Sequence, residues 1–412
     1  MLKYFHEREQ NPCKKSRIQA PFIHLEERAI LSAYPENPTN WKLDFLKRKS
    51  KVTEILSVNE NIIITLQNSG VCCVFKRLKW TLKQFGYLNH KPQEIIRSLF
   101  HNQSAAAIVI VSVYPVDKKS VLRCRSIPVN EVEQGNFHKS TPILDKEMLE
   151  YPGWIELCEV NSRILTHTSE NDTYRVWSLR DYTFLFEIKN HDSEEKLLDV
   201  KASPGFLLLL HDSTSPDMNG VKKQRITLLD IDDGRELYVL NHHVTTKIEL
   251  VEQFCDSILI KEQDQDLIIH NIRNPSNSFL KVKISELRLS AFTFLHNTRI
   301  FLTFQNHGRV ISFNSKGEEL CVIHDANPCI DSNNSIFLVA RDQETLLSVR
   351  PDFQKNEKTP NTVIDFKYCL DGLQLGKLTL PVPPGELTCL CYDDEKMALY
   401  IGMKDGTIRV WY

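Results

Sequence analysis

The side chains that could do chemistry are scattered along this chain. The one adjacent histidine pair, His242-His243, follows the run LYVLN at what reads as a strand-to-loop junction. Two imidazoles can ligate a metal or pass a proton, but a metal site needs further His, Cys or carboxylate groups at fixed spacing. No HExxH and no zinc-spaced Cys/His set accompanies them. The pair therefore reads as satisfied or solvated. The acidic pairs Asp232-Asp233, Glu194-Glu195 and Asp393-Asp394 offer carboxylates for acid–base work. Each falls in a turn context, where a carboxylate caps backbone N–H groups. The sequence has no Walker-type phosphate loop, no GxGxxG and no GxSxG. The expectation is a protein that is not an enzyme and has no cofactor and no metal site.

Charge points to no class of polyanionic partner. The net charge is −2, which gives no overall drive toward nucleic acid or an anionic membrane. Two basic clusters stand out, Lys14-Lys15-Ser16-Arg17 and Lys47-Arg48-Lys49-Ser50-Lys51. Either suits nuclear import or phosphate contact, and either is also an ordinary solvated domain boundary. Lys47, Arg48 and Lys49 are retained as candidate partner contacts. The eleven cysteines contain no CxxC pair, and most lie in apolar runs, where free cysteine behaves as a small hydrophobe. The start, MLKYFHEREQ, is charged where a secretory signal would be apolar, and the greasy run Phe206 to Leu210 is too short to span a bilayer. Both features predict an intracellular protein, cytoplasmic or nuclear, in a reducing compartment without membrane contact.

The elements that would position these side chains are strands. Residues 400–412 read YIGMKDGTIRVWY: apolar strand, Lys-Asp-Gly turn, alternating strand ending in Val410-Trp411. Residues 164–179, ILTHTSENDTYRVWSL, repeat that plan. Copies begin near Val52, Glu94, Trp154, Leu197, Lys247, Leu289, Cys329 and Leu387, close to a blade period of about 40–45 residues. The marker is the turn between the middle strands: Asn68-Ser69-Gly70, Asn171-Asp172, Asp264-Gln265-Asp266, Asn306-His307-Gly308 and Asp405-Gly406. Gly, Asn and Asp tolerate the positive φ that tight hairpins need. The fold expected is an all-β propeller of seven or eight blades, with eight favoured by the repeat count. Residues 1–50 form an extension and 51–412 the ring. The last copy lacks a fourth strand, so a segment within Ile18 to Leu31 should supply it, with Ala20 to Leu25 its most strand-like part. The stretches Ser213 to Gln224 and Asp352 to Thr362 read as surface loops.

TYRVWSL and TIRVWY resemble the WD-repeat family of β-propellers, over roughly residues 51–412. As a whole the chain is similar to divergent WD-repeat proteins of plants, to which no activity attaches. Phe75, Leu229, His270 and Phe313 register with the family tryptophan, represented here by Trp177 and Trp411. Asp405 and Asp264 take the place of the family's turn aspartate. The Gly-His pair that opens such repeats is missing, which weakens the His–Asp–Ser/Thr–Trp network known in the family. Trp177 and Trp411 are expected to fill space between blades. Trp177-Ser178-Leu179-Arg180 is close to the Trp-Asp-x-Arg box of propellers that dock on cullin-type ubiquitin ligases, and His270-Asn271-Ile272-Arg273 is its counterpart in the fifth copy. The resemblance implies a partner-binding role for Arg180 and Arg273, toward a ubiquitin-ligase adaptor. An arginine that caps a strand end is the plainer reading. Asn40-Trp41-Lys42 resembles the entry to F-box-type propellers, but the prolines before it leave no three-helix pattern. The expected function is a scaffold for protein partners within an intracellular complex. Its alternatives are a ligase substrate receptor and an RNA-associated propeller.

Overall fold

The computed structural model describes residues 23–412 apart from 35–48, 79–80, 92–93, 117–118, 145–148, 151–153, 169–171, 190–195, 213–221, 245, 274–279, 283–288, 306–308, 325–335 and 353–359. Within them the chain forms eight separate antiparallel sheets, so the eight-bladed alternative holds. Seven are built from consecutive strands within 52–87, 95–150, 154–189, 197–244, 248–282, 289–324 and 337–380, numbered here as blades 1 to 7. Blade 8 takes three strands from 387–411 and its fourth from Glu27–Ser32. The first strands of neighbouring blades face each other. Val52–Ser57 meets both Ile95–Asn102 and Leu387–Asp393, which makes the first strand the inner one and closes the ring between blades 8 and 1.

The middle strands explain why the chain makes a ring. The second strand of blade 1, Ile62–Gln67, is buried at every position, as are those of blades 6 and 8, Ile300–Gln305 and Ala398–Met403. A sheet buried on both faces must be covered twice. The apolar core is accordingly divided into eight clusters, one between each pair of neighbouring blades. Alternation sends successive residues to opposite sides. Ile63 packs toward blade 8, while Ile62 and Ile64 pack toward blade 2. Ile408 and Val410 share one face, as their spacing requires, and meet Phe75 of blade 1.

The repeat is also visible in register. Six of the eight inner strands carry the same irregularity, at Val52/Glu54, Ile96/Ser98, Leu197/Asp199, Ile248/Leu250, Leu289/Ala291 and Leu387/Cys389. A bulge there sharpens strand twist where the blades crowd together. Trp177, Phe75, Leu229, His270, Phe313 and Trp411 each stand opposite the second residue of their blade's second strand, so the sequence alignment of these positions is correct. The blades that lacked an assignment fill the same place with Ile127 and Lys367. Lys367 reaches across to donate to the Ile323 carbonyl of blade 6 at 2.7 Å.

Closure differs in detail from the sequence reading. Glu27–Ser32 pairs antiparallel with Thr407–Trp411, and Glu26 and Tyr412 exchange backbone hydrogen bonds of 2.9 and 3.1 Å. Of the stretch favoured for this role, Ala20 to Leu25, residues 20–22 lie outside the described residues. Ile23 bridges instead to Gly376 in the outer strand of blade 7, and Ile23 and Leu25 join the core between blades 7 and 8. The reason is exposure. An outer strand covers one partner and meets water, so the charged ERAILS pairs and the more apolar residues before it are pulled inward. The first described strand of blade 7 is Phe337–Val339, and Cys329, where that copy was expected to start, lies outside the described residues. Two further boundaries shift. Lys222–Asp230 is a strand, which removes Lys222, Lys223 and Gln224 from the expected loop. Asp352 and Asn361 pair at the end of a hairpin. His242-His243 lies inside the strand Glu236–Val244 rather than at its end. His242 is buried and its Nε2 meets Glu262 Oε1 at 2.9 Å, so it is satisfied.

Polar clasps join blades as well. Between blades 1 and 2 the buried Glu94 carboxylate accepts from Arg125, Ser112 (2.7 Å) and the His90 backbone N–H (2.6 Å). Burial alone would raise the Glu94 pKa, but Arg125 and these donors outweigh it and hold it below the ordinary range. A carboxylate with a depressed folded pKa gives stability that is complete above its unfolded value of about 4.3 and is lost as pH falls through the lower folded value. Glu94→Gln is therefore expected to cost about 3–5 kcal/mol near neutral pH, because it leaves Arg125 unpaired. That penalty should shrink toward zero in acid, and urea unfolding at several pH values measures it. The two blade tryptophans give a second test. Both are nearly buried, but Trp177 Nε1 donates to Thr166 Oγ1 at 3.2 Å and Trp411 Nε1 has no partner among the described residues. Replacing each with Phe removes the same volume. Trp177→Phe should cost about 0.5–1.5 kcal/mol more than Trp411→Phe. Equal losses in denaturant unfolding would contradict the assignment.

Candidate partner-binding rim

In a four-stranded meander the first-to-second and third-to-fourth turns lie at the same end of the sheet. Arg180 and Arg273 sit on third-to-fourth turns of blades 3 and 5, so both project from one end of the ring. Both are exposed. Their backbone is fixed by the residue two positions earlier: Ser178 Oγ accepts from the Arg180 N–H at 3.3 Å, and Asn271 Oδ1 accepts from the Arg273 N–H at 2.9 Å. Asp230 and Asn314 do the same for Asp232 and Lys316 in blades 4 and 6, at 2.8 and 2.9 Å. A short polar side chain closing a turn onto the backbone is a local device, available wherever Ser, Asn or Asp follows the blade residue. The rim position thus reads Arg180, Asp232, Arg273 and Lys316 in successive blades. The box matches at Arg180 and Arg273 pointed to this position. Asp232 and Lys316 were missed because neither resembles the box, although Asp230 and Asn314 were signals for the same turn.

The two arginines share an end but not a site. Blade 4 stands between them and presents Asp232-Asp233, of which Asp232 pairs with Arg163 of blade 3. Arg273 Nε lies 3.0 Å from Asp256 Oδ1, with the two side chains 74% and 51% exposed. An ion pair this open to water contributes little to stability and leaves both partners available. Neighbouring turns are tied more firmly. Asn161 donates to the Ser203 carbonyl at 2.7 Å and accepts from the Gly205 N–H at 2.8 Å, which links blades 3 and 4. Asn102 donates to the Leu179 carbonyl at 2.8 Å, which links blades 2 and 3 next to Arg180. Lys396 and Asp393 of blade 8 hold Ser57 and Asn59 of blade 1. Exposed apolar side chains occur at this end too, with Val160, Leu370 and Met397 at 65, 44 and 38% exposure.

The other sequence candidates are placed as follows. Lys49 is exposed, and Lys47 and Arg48 lie outside the described residues. Asp405 is a turn residue: its carboxylate accepts from the Thr407 N–H at 2.9 Å and the Thr407 hydroxyl at 2.6 Å. Trp177 and Trp411 pack between blades, the first edge-on to Phe184.

The inner strands carry titratable groups. Burial raises Glu54 of blade 1 to about 7, against a weaker opposing hydrogen bond from Leu99. Burial, then Glu252 and Asp199, raise Glu156 of blade 3. Lys201 bridges to Glu252 at 2.6 Å beside a cavity of about 100 Å³ between blades 4 and 5. Glu54 belongs to blade 1 and Glu156 to blade 3, with blade 2 between them.

Among the described residues no helix is long and apolar enough to cross a membrane. Comparison with solved structures agrees on the fold. A computationally designed protein, Ika8, superposes with a TM-score of 0.54 over 89% of this chain and 97% of its own, at 14% identity. BamB from Moraxella catarrhalis is a weaker match, with a TM-score of 0.43 over 94% of this chain and 97% of its own at 12% identity. No curated protein matches the sequence. One family description, "Domain of unknown function (DUF7899)", matches residues 10–411, nearly the whole ring with part of its N-terminal extension. The chain is a member of that family.

Proposed function

We propose that this protein is a non-catalytic scaffold, a stiff disc that docks protein partners on the end carrying Arg180 and Arg273. The reading is supported chiefly by one observation: cations of blades 3 and 5 stand exposed on backbone that their own turns hold in place. A guanidinium with its backbone already ordered loses less freedom on binding, so more of its hydrogen bonding to a carboxylate or carbonyl appears as affinity. Apolar neighbours on the same end add contact area, with a few anchors carrying most of the energy. The intracellular setting expected from the sequence belongs to the same reading. A narrower version takes the partner to be a ubiquitin-ligase adaptor, and the exposure of both box arginines favours it.

The test is affinity purification of the intact protein beside the variant Arg180→Glu/Arg273→Glu. Both positions are exposed, so the variant should unfold within about 0.5 kcal/mol of the wild type in urea. Its co-purifying partner should be lost or reduced at least about tenfold, equivalent to about 1.4 kcal/mol. A ligase adaptor among the lost proteins supports the narrower version. Undiminished recovery of every partner overturns the placement of the docking surface.

A further inference from the structure

We propose that Ser50 is a phosphorylation site and that its modification loosens the closure of the ring. Ser50 is half-buried where the closing strand meets blade 1. Its hydroxyl donates to Ser69 Oγ at 3.0 Å and accepts from the Ser69 N–H at 3.1 Å. The Ser50 N–H donates to the Tyr34 hydroxyl at 2.8 Å, and that hydroxyl lies 3.2 Å from Ser50 Oγ. With the serine proton committed to Ser69, the tyrosine proton points back to Ser50 Oγ. Tyr34 itself is 4% exposed and lies two residues beyond the end of the strand Glu27–Ser32. One serine oxygen thus ties the strand that completes blade 8 to a turn of blade 1.

Gly406 packs on the serine backbone and on Tyr34. Gly406 has a φ of +83°, and a Cβ there would come within 2.7 Å of the Ser50 carbonyl and 2.8 Å of the Tyr34 ring. The sequence around the serine, Lys47-Arg48-Lys49-Ser50-Lys51, is densely basic. Such a charge pattern suits a kinase with an acidic substrate groove, because specificity in these enzymes is read from flanking charge. In the reaction the γ-phosphoryl group of a nucleoside triphosphate passes to Ser50 Oγ, the hydroxyl proton is released, and the nucleoside diphosphate leaves. The product has no proton to give Ser69. It also adds a charge of about −1.5 to −2 and three oxygens beside the buried Tyr34. The bonds to Tyr34 and Ser69 are then replaced by bonds to water, and the strand Glu27–Ser32 opens more often.

The experiment uses the full-length protein with ATP and a purified serine/threonine kinase that prefers basic flanks. Peptide mass spectrometry locates the phosphate, and limited proteolysis follows cleavage within 23–34. The expected result is phosphate on Ser50 and cleavage at least about tenfold faster in the modified protein, because proteolysis tracks the population of the opened state. Ser50→Ala should abolish the effect of kinase treatment on cleavage. Tyr34→Phe should raise basal cleavage less than the phosphate does. The phosphate is added to folded wild-type protein, so the result does not depend on a mutant that fails to fold. Absence of phosphate from Ser50, or phosphorylation there without faster cleavage, overturns the proposal.

Discussion

Every blade is a sheet with two apolar faces, and no blade can cover both by itself. This constraint governs the molecule. The eight clusters between blades are its solution, since each blade lends one face to either neighbour. A linear stack would leave two terminal faces open to water. A ring leaves none, provided the last blade is complete. The strand Glu27–Ser32 is therefore more than an edge repair: without it the space between blades 8 and 1 lacks Ala29, Leu31, Ala33 and Tyr34.

Polar groups do a different job at each level. Inside the wall Glu94 and Arg125 are paired, because the low dielectric makes an unpaired charge costly. Between turns polar groups act as ties. Asn161, Asn102, Lys396 and Lys367 each reach from one blade to backbone of a neighbouring blade. At the outermost position of the rim they are free to differ, which is why Arg180, Asp232, Arg273 and Lys316 share one turn hydrogen bond but not one charge. Fixed backbone with variable side chains suits a binding surface.

Much of this was legible in the chain. The apolar alternation that places Ile408 and Val410 on one face, and the Asn, Asp and Gly turns between middle strands, are local signals with local causes. They located the blade starts at Val52, Trp154, Leu197, Leu289 and Leu387 to the residue, and they aligned Phe75 with Trp177 despite different chemistry. The reading of Arg180 and Arg273 as an exposed pair was also available, because a residue three positions beyond a buried aromatic emerges from the strand into the turn.

What failed to show was anything that depends on neighbours distant in sequence. The sequence pointed to a segment within Ile18 to Leu31 for closure, and that holds, but local apolar content made Ala20 to Leu25 its most strand-like part. The ring instead took the charged segment after it, because only the assembled blade 8 offers an edge facing water. His242 looked like a junction residue until Glu262, on the next blade, was placed against it. The separation of Arg180 from Arg273 by the acidic turn Asp232-Asp233 likewise comes only from the order of blades around a circle. Periodicity is written in each strand because every residue must choose a side. Which residue waits on that side is decided by closure, and that is a property of the whole ring.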